Sequence, residues 1–310
     1  RRRAWRTKSP LNKLKTPPVT APGSVVAVDQ MISAVPGFIA QMRGFITGKR
    51  YKVVTVFVDQ FSDLSFVYTQ KSMTAEETVQ AKEAFERYAK AHGATVKHYH
   101  ADNGIFAEAE FLRAVEKANQ TISFCGVNAH HMNGHAEKRI RDLQENARAM
   151  LLHAKRRWPS AITANLWPYA MRMANDVHNF APSIKEGVSP IEKFSQVQVS
   201  PRVKHSHAFG CPVYVLDGRL QSGKRVPKWD DRSRIGLFLG WSPRHSRKVA
   251  LVLNLITGHV SPQFHVEFDD LFETMRPSAG NIQPQSLWQA KAGLLDMERV
   301  PTKESQATIQ

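Results

Sequence analysis

Apolar positions along the chain switch between strand-like runs and helical spacing, and the switches mark the elements. SVVAVD (24–29) is β-branched and apolar up to a terminal acid, and predicts a short buried strand ending at Asp29. RYKVVTVFVDQ (50–60) and DLSFVYTQ (63–70), parted by a short turn, predict an antiparallel hairpin. Between these segments, residues 31–49 carry Gly and Pro breaks without a period and read as a loop insertion. A helix follows the hairpin: Thr74 and Glu77 form a T-x-x-E capping box, Ala81, Ala84, Phe85 and Tyr88 share a face, and Gly93 is the stop. TVKHYHAD (95–102) predicts a strand that breaks at once on Asn103-Gly104. EAEFLRAVEKAN (108–119) predicts a short helix and TISFCGV (121–127) a last strand. A long helix over 136–157 turns Ile140, Leu143, Ala147, Met150, Leu151 and Ala154 inward; Pro159 ends it, and another helix spans 161–180. The order β-β-β-α-β-α-β-α-α predicts a mixed sheet covered by helices.

Past residue 182 the text changes. Residues 183–206 are Pro-, Ser- and Gln-bearing and read as a linker. Over 207–275 the runs CPVYVL, RIGLFLGW, VALVLNLIT and HVSPQFHVEF, spaced by Gly, Pro and Ser clusters, predict a small all-β barrel or sheet. Residues 276–310 lose apolar period and read as a disordered or linker tail. At the other end, residues 1–24 hold seven Lys or Arg, no acid and four prolines, which makes a basic, extended arm.

Charge adds the first hint of a partner. The 310 residues carry 43 Lys and Arg against 27 Asp and Glu, a formal charge of +16, and such a field favours a polyanion. Cys125 and Cys211 lie far apart in apolar runs, so they read as core thiols and not as a disulfide framework. No apolar run approaches the roughly 18 residues of a membrane span, so no membrane partner is expected. Arg1-Arg2-Arg3 is not followed by the apolar stretch of a signal peptide, and the absence of an initiator Met reads as a piece of a longer product.

Three acids stand at element ends. Asp29 ends the first strand, Asp102 ends the fourth, and Glu137 sits in the first turn of the long helix. If the first and fourth strands lie side by side, their aspartates share one sheet edge, and the helix can bring Glu137 to it. Like charges crowded there raise one another's pKa unless divalent cations neutralise them, and hard Mg²⁺ prefers carboxylate oxygen. The bland reading stays open: Asp102-Asn103-Gly104 as a turn, Asp29 as a strand-end acid, and Glu137 as a first-turn acid favoured by the helix dipole.

VVAVD, HADNG and MNGHAEKRIRDLQENARAMLLHA resemble the core of the copia-type LTR-retrotransposon integrases, segments of Gag-Pol polyproteins within the RNase H-like D,D(35)E integrase and transposase superfamily. LWPYAMRMANDVHN, SPIEKF, FGCPVYVL, KWDDRSRIGLFLGWSP and NLITGHVSPQFHVEFDD resemble consecutive later blocks, so the resemblance runs in order over about 21–275. It implies an α/β fold: an RNase H-like mixed five-stranded sheet with flanking helices, then a small all-β SH3-like domain. The implied organisation is a basic N-terminal linker (1–20), a catalytic core (21–182), a linker (183–206), the SH3-like domain (207–275) and a tail (276–310). RRRAWRTKSP resembles text that follows a zinc-binding module in that family, which implies that such a module lies upstream and that no zinc is expected here. Met132, Lys138, Ile105 and Phe106 depart from the usual family blocks, but none replaces a metal ligand.

By the same resemblance the catalytic and metal-binding residues are Asp29, Asp102 and Glu137, with 34 residues between the last two, one fewer than the nominal spacing. The implied cofactor is Mg²⁺, with Mn²⁺ as an alternative ion. The implied reaction is two-metal 3′-end processing and strand transfer, inserting element cDNA into host DNA. Partners are double-stranded DNA and further copies of the chain, and the place of action is the nucleus, with virus-like particles in the cytoplasm. Asn133, Gly134, Lys138, Arg141 and Arg148 are candidate DNA contacts around the helix start, against loop shaping for the first two and a solvated face for the rest. Lys224, Arg225 and Lys228 are candidate contacts in the all-β part, against a merely soluble surface. His130, His131 and His135 lack cysteine partners and do not predict zinc. Asp59 is a rival carboxylate but matches no ligand of the family, and Trp158, Trp167, Trp229 and Trp241 read as core anchors. Two alternatives remain: an inactive DNA-binding remnant, and an RNase H-like nuclease that cleaves without joining.

Overall fold

The computed structural model describes residues 17–39, 47–126, 133–184, 186–199, 206–246, 248–276 and 285–294. Most of the N-terminal arm, His130, His131, Met132 and much of the segment read as a tail lie outside the described residues. The chain divides into two compact units, residues 1–32, 53–141 and 178–200 in the first and 33–52, 142–177 and 201–310 in the second.

The first unit is built on a five-stranded mixed sheet in the order β3-β2-β1-β4-β5: β1 (Val26–Gly37), β2 (Tyr51–Asp59), β3 (Ser65–Gln70), β4 (His98–Ala101) and β5 (Thr121–Phe124). β2 and β3 pair antiparallel from Val53↔Gln70 to Val58↔Ser65, the expected hairpin. β1 pairs parallel with β4, and β4 with β5. The mixed sheet with covering helices is therefore as the element order predicts. Helix α1 (Ala75–Ala91) lays Phe85 flat on Phe57 of β2, with ring centroids 4.8 Å apart and 10° between planes. Burying such a ring contributes about 2–3 kcal/mol. Helix α2 (Ala109–Lys117) adds Phe111 and Val115 to the same core.

The ends of α1 follow from its sequence. Thr74 is the N-cap and accepts from the Glu77 amide, but the Glu77 carboxylate reaches further back, to the amides of Lys71 at 2.7 Å and Ser72 at 3.1 Å. At the other end Gly93 takes φ +80°, a conformation glycine adopts without strain. Its amide donates to Lys90 O and that of Ala94 to Ala89 O, which closes the helix as a Schellman turn.

Helix α3 (Gly134–Arg157) places residues 134–141 in the first unit, and α4 (Trp167–Phe180) follows a short 3₁₀ turn at Ala164–Leu166. Within the stretch read as a linker, α5 (Pro190–Ser195) forms under a Ser189–Glu192 capping box with Pro190 in its first turn, and buries Ile191 and Phe194 in the first unit's core.

One reading is corrected. Residues 31–37, taken as a loop for their lack of period, continue β1. Tertiary bonds hold them extended: Trp167 Nε1 donates to Val35 O at 2.9 Å, Asn165 Nδ2 to Pro36 O at 2.8 Å, and Phe38 N to Asn165 O at 2.7 Å.

The second unit carries an antiparallel five-stranded sheet, β10-β6-β7-β8-β9, from β6 (Pro212–Leu216), β7 (Ser233–Trp241), β8 (Ala250–Asn254), β9 (Val260–Gln263) and β10 (Val266–Phe268). Gly236 lets β7 and β8 approach, since a Cβ there would fall 2.3 Å from Val252 Cγ1. A short helix α6 (Gly218–Gln221) leads into the β6–β7 connection. Within the stretch read as tail, α7 (Trp288–Lys291) buries Trp288 completely, its Nε1 donating to Ala161 O at 2.9 Å. Among the described residues no helix is long and apolar enough to cross a membrane.

Candidate active site

The register of β1 and β4 sets the site. Val26 pairs with Tyr99, Ala27 with His100 and Val28 with Ala101, so Asp29 and Asp102 follow side by side, one residue past the last pair. Parallel neighbours lie about 4.8 Å apart and residues at the same pleat position face the same way, so both carboxylates emerge on one face of one sheet edge. Both are half-buried. β1 runs on past Asp29, while β4 stops at Ala101, so Asp29 stands where one strand leaves its neighbour and not at a strand terminus.

The break after β4 is chemically built. Asp102 Oδ1 accepts from the Gly104 amide at 2.8 Å, and Asn103 Nδ2 donates to Cys125 O at 2.9 Å, tying the turn to the end of β5. Asp102 is thus a turn former and an edge carboxylate together. Asp29 Oδ1 accepts from the Gln30 amide at 2.7 Å.

The start of α3 is tied to the same edge. Asn133 is 1% exposed, and its Nδ2 donates to Val28 O at 2.9 Å, immediately before Asp29. Glu137 follows in the helix's first turn, where the dipole favours a negative charge, and is half-buried. Arg139, two residues on, is buried and donates from Nη2 to Asp63 Oδ2 at 2.6 Å, with Nη1 2.9 Å from His178 Nδ1. His178 Nε2 lies 2.9 Å from Asp63 O, so the neutral imidazole that satisfies both contacts carries its proton on Nε2.

The fields of the three carboxylates meet at Cys125. Burial raises this thiol's pKa most, and the charges of Asp102, Asp29 and Glu137 each raise it further. Cys125 Sγ lies 3.7 Å from His100 Nε2, and His100 Nδ1 lies 2.9 Å from Ser123 Oγ. Among the described residues, however, no group of three or more His, Cys, Asp or Glu side chains closes to a spacing that holds a metal ion. In chemistry the donor set fits a hard divalent cation: three carboxylates, all oxygen, two from adjacent strands and one from a helix start.

The remaining candidates fall as follows. Gly134 is exposed, and a Cβ on it would meet nothing within 4 Å. Lys138, Arg141 and Arg148 are exposed on α3, Lys138 and Arg141 in the first unit and Arg148 in the second. Lys224, Arg225 and Lys228 are exposed in the β6–β7 connection of the second unit. Asp59 is a buried residue at the end of β2: it accepts from Gly23 N at 2.8 Å, Ser62 N at 2.9 Å and Ser62 Oγ at 2.6 Å. Trp158 and Trp167 are core residues, as read, but Trp229 is 89% exposed and is no core anchor. Sequence reasoning missed the Arg139, Asp63 and His178 cluster. The one local sign of it was an acid in the hairpin turn, Asp63, which takes φ +63°.

No protein-family model matches the chain. Solved structures similar to it are retroviral integrases. The trimeric HTLV-2 integrase catalytic core domain in complex with magnesium is 19% identical at a TM-score of 0.40, over 56% of this chain and 97% of that one. The BIV integrase catalytic core domain is 17% identical at 0.40, over 59% and 98%. The simian T-cell lymphotropic virus intasome in complex with a PP2A regulatory subunit is 15% identical at 0.41, over 80% and 79%. At these values the functional reading rests on the strand register and the residues at its edge.

Proposed function

We propose that the chain is an integrase of the copia retrotransposon type, inserting element cDNA into host DNA. One observation carries the reading: the β1–β4 register brings Asp29 and Asp102 to one sheet edge, and the Asn133 hydrogen bond to Val28 O fastens the start of the helix that carries Glu137 to the same strand. The ordered sequence resemblance over about 21–275 and the +16 charge support it. In this reading residues 21–182 are an RNase H-like catalytic core and 207–275 an SH3-like DNA-binding domain, flanked by the arm, linker and tail segments.

Asp29 with Asp102 would hold one Mg²⁺, and Asp29 with Glu137 the other. Bound there, the ions supply activation of the attacking oxygen and stabilisation of the leaving one. First, water attacks a phosphodiester near the cDNA end: the P–O3′ bond breaks, the terminal nucleotides leave with a 5′-phosphate, and the retained cDNA strand ends in a 3′-OH. That 3′-OH then attacks a target phosphodiester; a new P–O bond forms and the target's own 3′ oxygen leaves. No protein nucleophile takes part, so no activated Ser or Cys is required. Lys138, Arg141 and Arg148 on α3, and Lys224, Arg225 and Lys228 in the second unit, meet DNA phosphates. Copies of the chain act together on paired DNA ends, in the nucleus after passage through cytoplasmic virus-like particles.

The test is strand transfer with a labelled terminal duplex, with and without Mg²⁺, for the intact chain and for Glu137→Gln. Joined product only with Mg²⁺ and only from the intact chain is expected; joining by Glu137→Gln sinks the proposal. A second reading, a DNA-binding remnant, is favoured by the carboxylates' not closing to ion spacing among the described residues. It is distinguished by duplex binding without Mg²⁺-dependent cleavage or joining.

A further inference from the structure

The β6–β7 connection of the second unit carries an arrangement that the carboxylate site does not use. Trp229 there is 89% exposed, an unusual place for the largest apolar side chain. The Lys228 ammonium lies 5.2 Å from its ring centroid, so the indole already takes a cation. The ring borders an open depression of about 630 Å³, lined also by Asp217, Arg219, Asp230, Asp231 and Arg234.

The charges decide what such a depression takes. Asp217 is committed to Arg219, whose Nε and Nη2 each lie 3.1 Å from its carboxylate. Asp230 and Asp231 remain, but exposed Lys224, Arg225, Lys228 and Arg232 outnumber them along the same connection. Arg234 is half-buried and lines the depression, and a guanidinium is a directional donor to phosphate oxygens. A flat aromatic face beside surplus cations is the combination that binds an unpaired nucleotide: the ring stacks on the base and the cations follow the backbone. Inside a duplex both faces of a base are covered by its neighbours, so an unstacked base, and not an internal base pair, lies on the indole.

We infer that Trp229 is a stacking platform for an unpaired base, with Arg234 and the Lys224–Arg232 cations on the flanking phosphates, and that the second unit thereby grips single-stranded polynucleotide. This deepens the DNA-binding part of the proposed function but does not depend on the carboxylates, so the Glu137→Gln chain retains it.

The test is fluorescence anisotropy of the full chain with a labelled single-stranded DNA, the same sequence as RNA, and the same sequence as a duplex. Trp229→Ala is expected to weaken single-strand binding about tenfold, as the loss of one base–aromatic stack does, while duplex binding and the salt slope hold. Trp229→Tyr is expected to keep most of the affinity. The DNA and RNA arms tell which strand is preferred. Equal loss on duplex and single strand, no loss at all, or Trp229→Tyr as weak as Trp229→Ala overturns the inference. So does a Lys- and Arg-rich peptide that shields Trp229 from iodide quenching where the oligonucleotides do not, since the aspartates would then be what recognises the ligand.

Discussion

Asn133 Nδ2 donates to Val28 O at 2.9 Å, which fastens the start of α3 to the residue before Asp29. The helix carrying Glu137 is thus registered against the strand carrying Asp29 by one buried hydrogen bond. Asn133→Ala removes the donor and is expected to cost about 1–2 kcal/mol in urea unfolding. Strand transfer should fall further than DNA affinity does, because Glu137 loses its register while the basic surface is untouched. Lost DNA affinity at unchanged stability would instead make Asn133 a DNA contact.

Cys125 reports on the carboxylates without any need for turnover. Its thiol is raised by burial first, then by Asp102, Asp29 and Glu137. Asp29→Asn, Asp102→Asn and Glu137→Gln should each lower its pKa, with Asp102→Asn having the largest effect of the three. The measurement is the pH dependence of thiolate absorbance in a Cys211→Ala background, since Cys211 is the other thiol. If none of the three substitutions moves the titration, the carboxylates do not share an edge with Cys125.

Arg139 links α3 to the β2–β3 turn through Asp63 Oδ2 and to α4 through His178 Nδ1. A guanidinium spans both with fixed geometry, and a lysine ammonium does not. Arg139→Lys is therefore expected to cost about 1–2 kcal/mol, a figure held down because the Asp63 carboxylate is largely in solvent. Urea unfolding within error of the parent would show that the cluster contributes nothing to stability.

What was legible in the sequence was local. The period-2 runs gave the hairpin and the strand ending at Asp102, and Thr74 and Gly93 marked both ends of α1, because caps and strands are written in adjacent residues. The extension of β1 to Gly37 was not legible, since its hydrogen bonds go to Asn165 and Trp167, far along the chain. The same holds for Arg139, which meets its partners 76 and 39 positions away. Helix α5 was signalled by Ser189, Pro190 and Glu192 but masked by linker-like composition around it. Trp229 was misread because a tryptophan is ordinarily buried, and exposure has no sequence period. The edge carboxylates lay between these cases: their positions were readable, whereas their adjacency required the parallel register of β1 with β4.

Tyr99 ties stability to alkaline pH. Its hydroxyl donates to Glu86 Oε1 at 2.8 Å, and the same oxygen lies 2.8 Å from Lys82 Nζ and 2.7 Å from Gln120 Nε2. Burial raises the Tyr99 pKa well above 10.0, with the Glu86 charge and hydrogen bond adding to it. The folded chain therefore keeps a proton that the unfolded chain releases above pH about 10, the ordinary tyrosine value. The folded state binds more protons in that window, so its stability is full below pH 10 and declines as pH rises toward the folded pKa. Tyr99→Phe should cost about 1 kcal/mol at pH 8, through the lost hydrogen bond, and should flatten the decline above pH 10. Urea midpoints at pH 8 and above pH 10 for the two chains check this; parallel declines would place the alkaline sensitivity elsewhere.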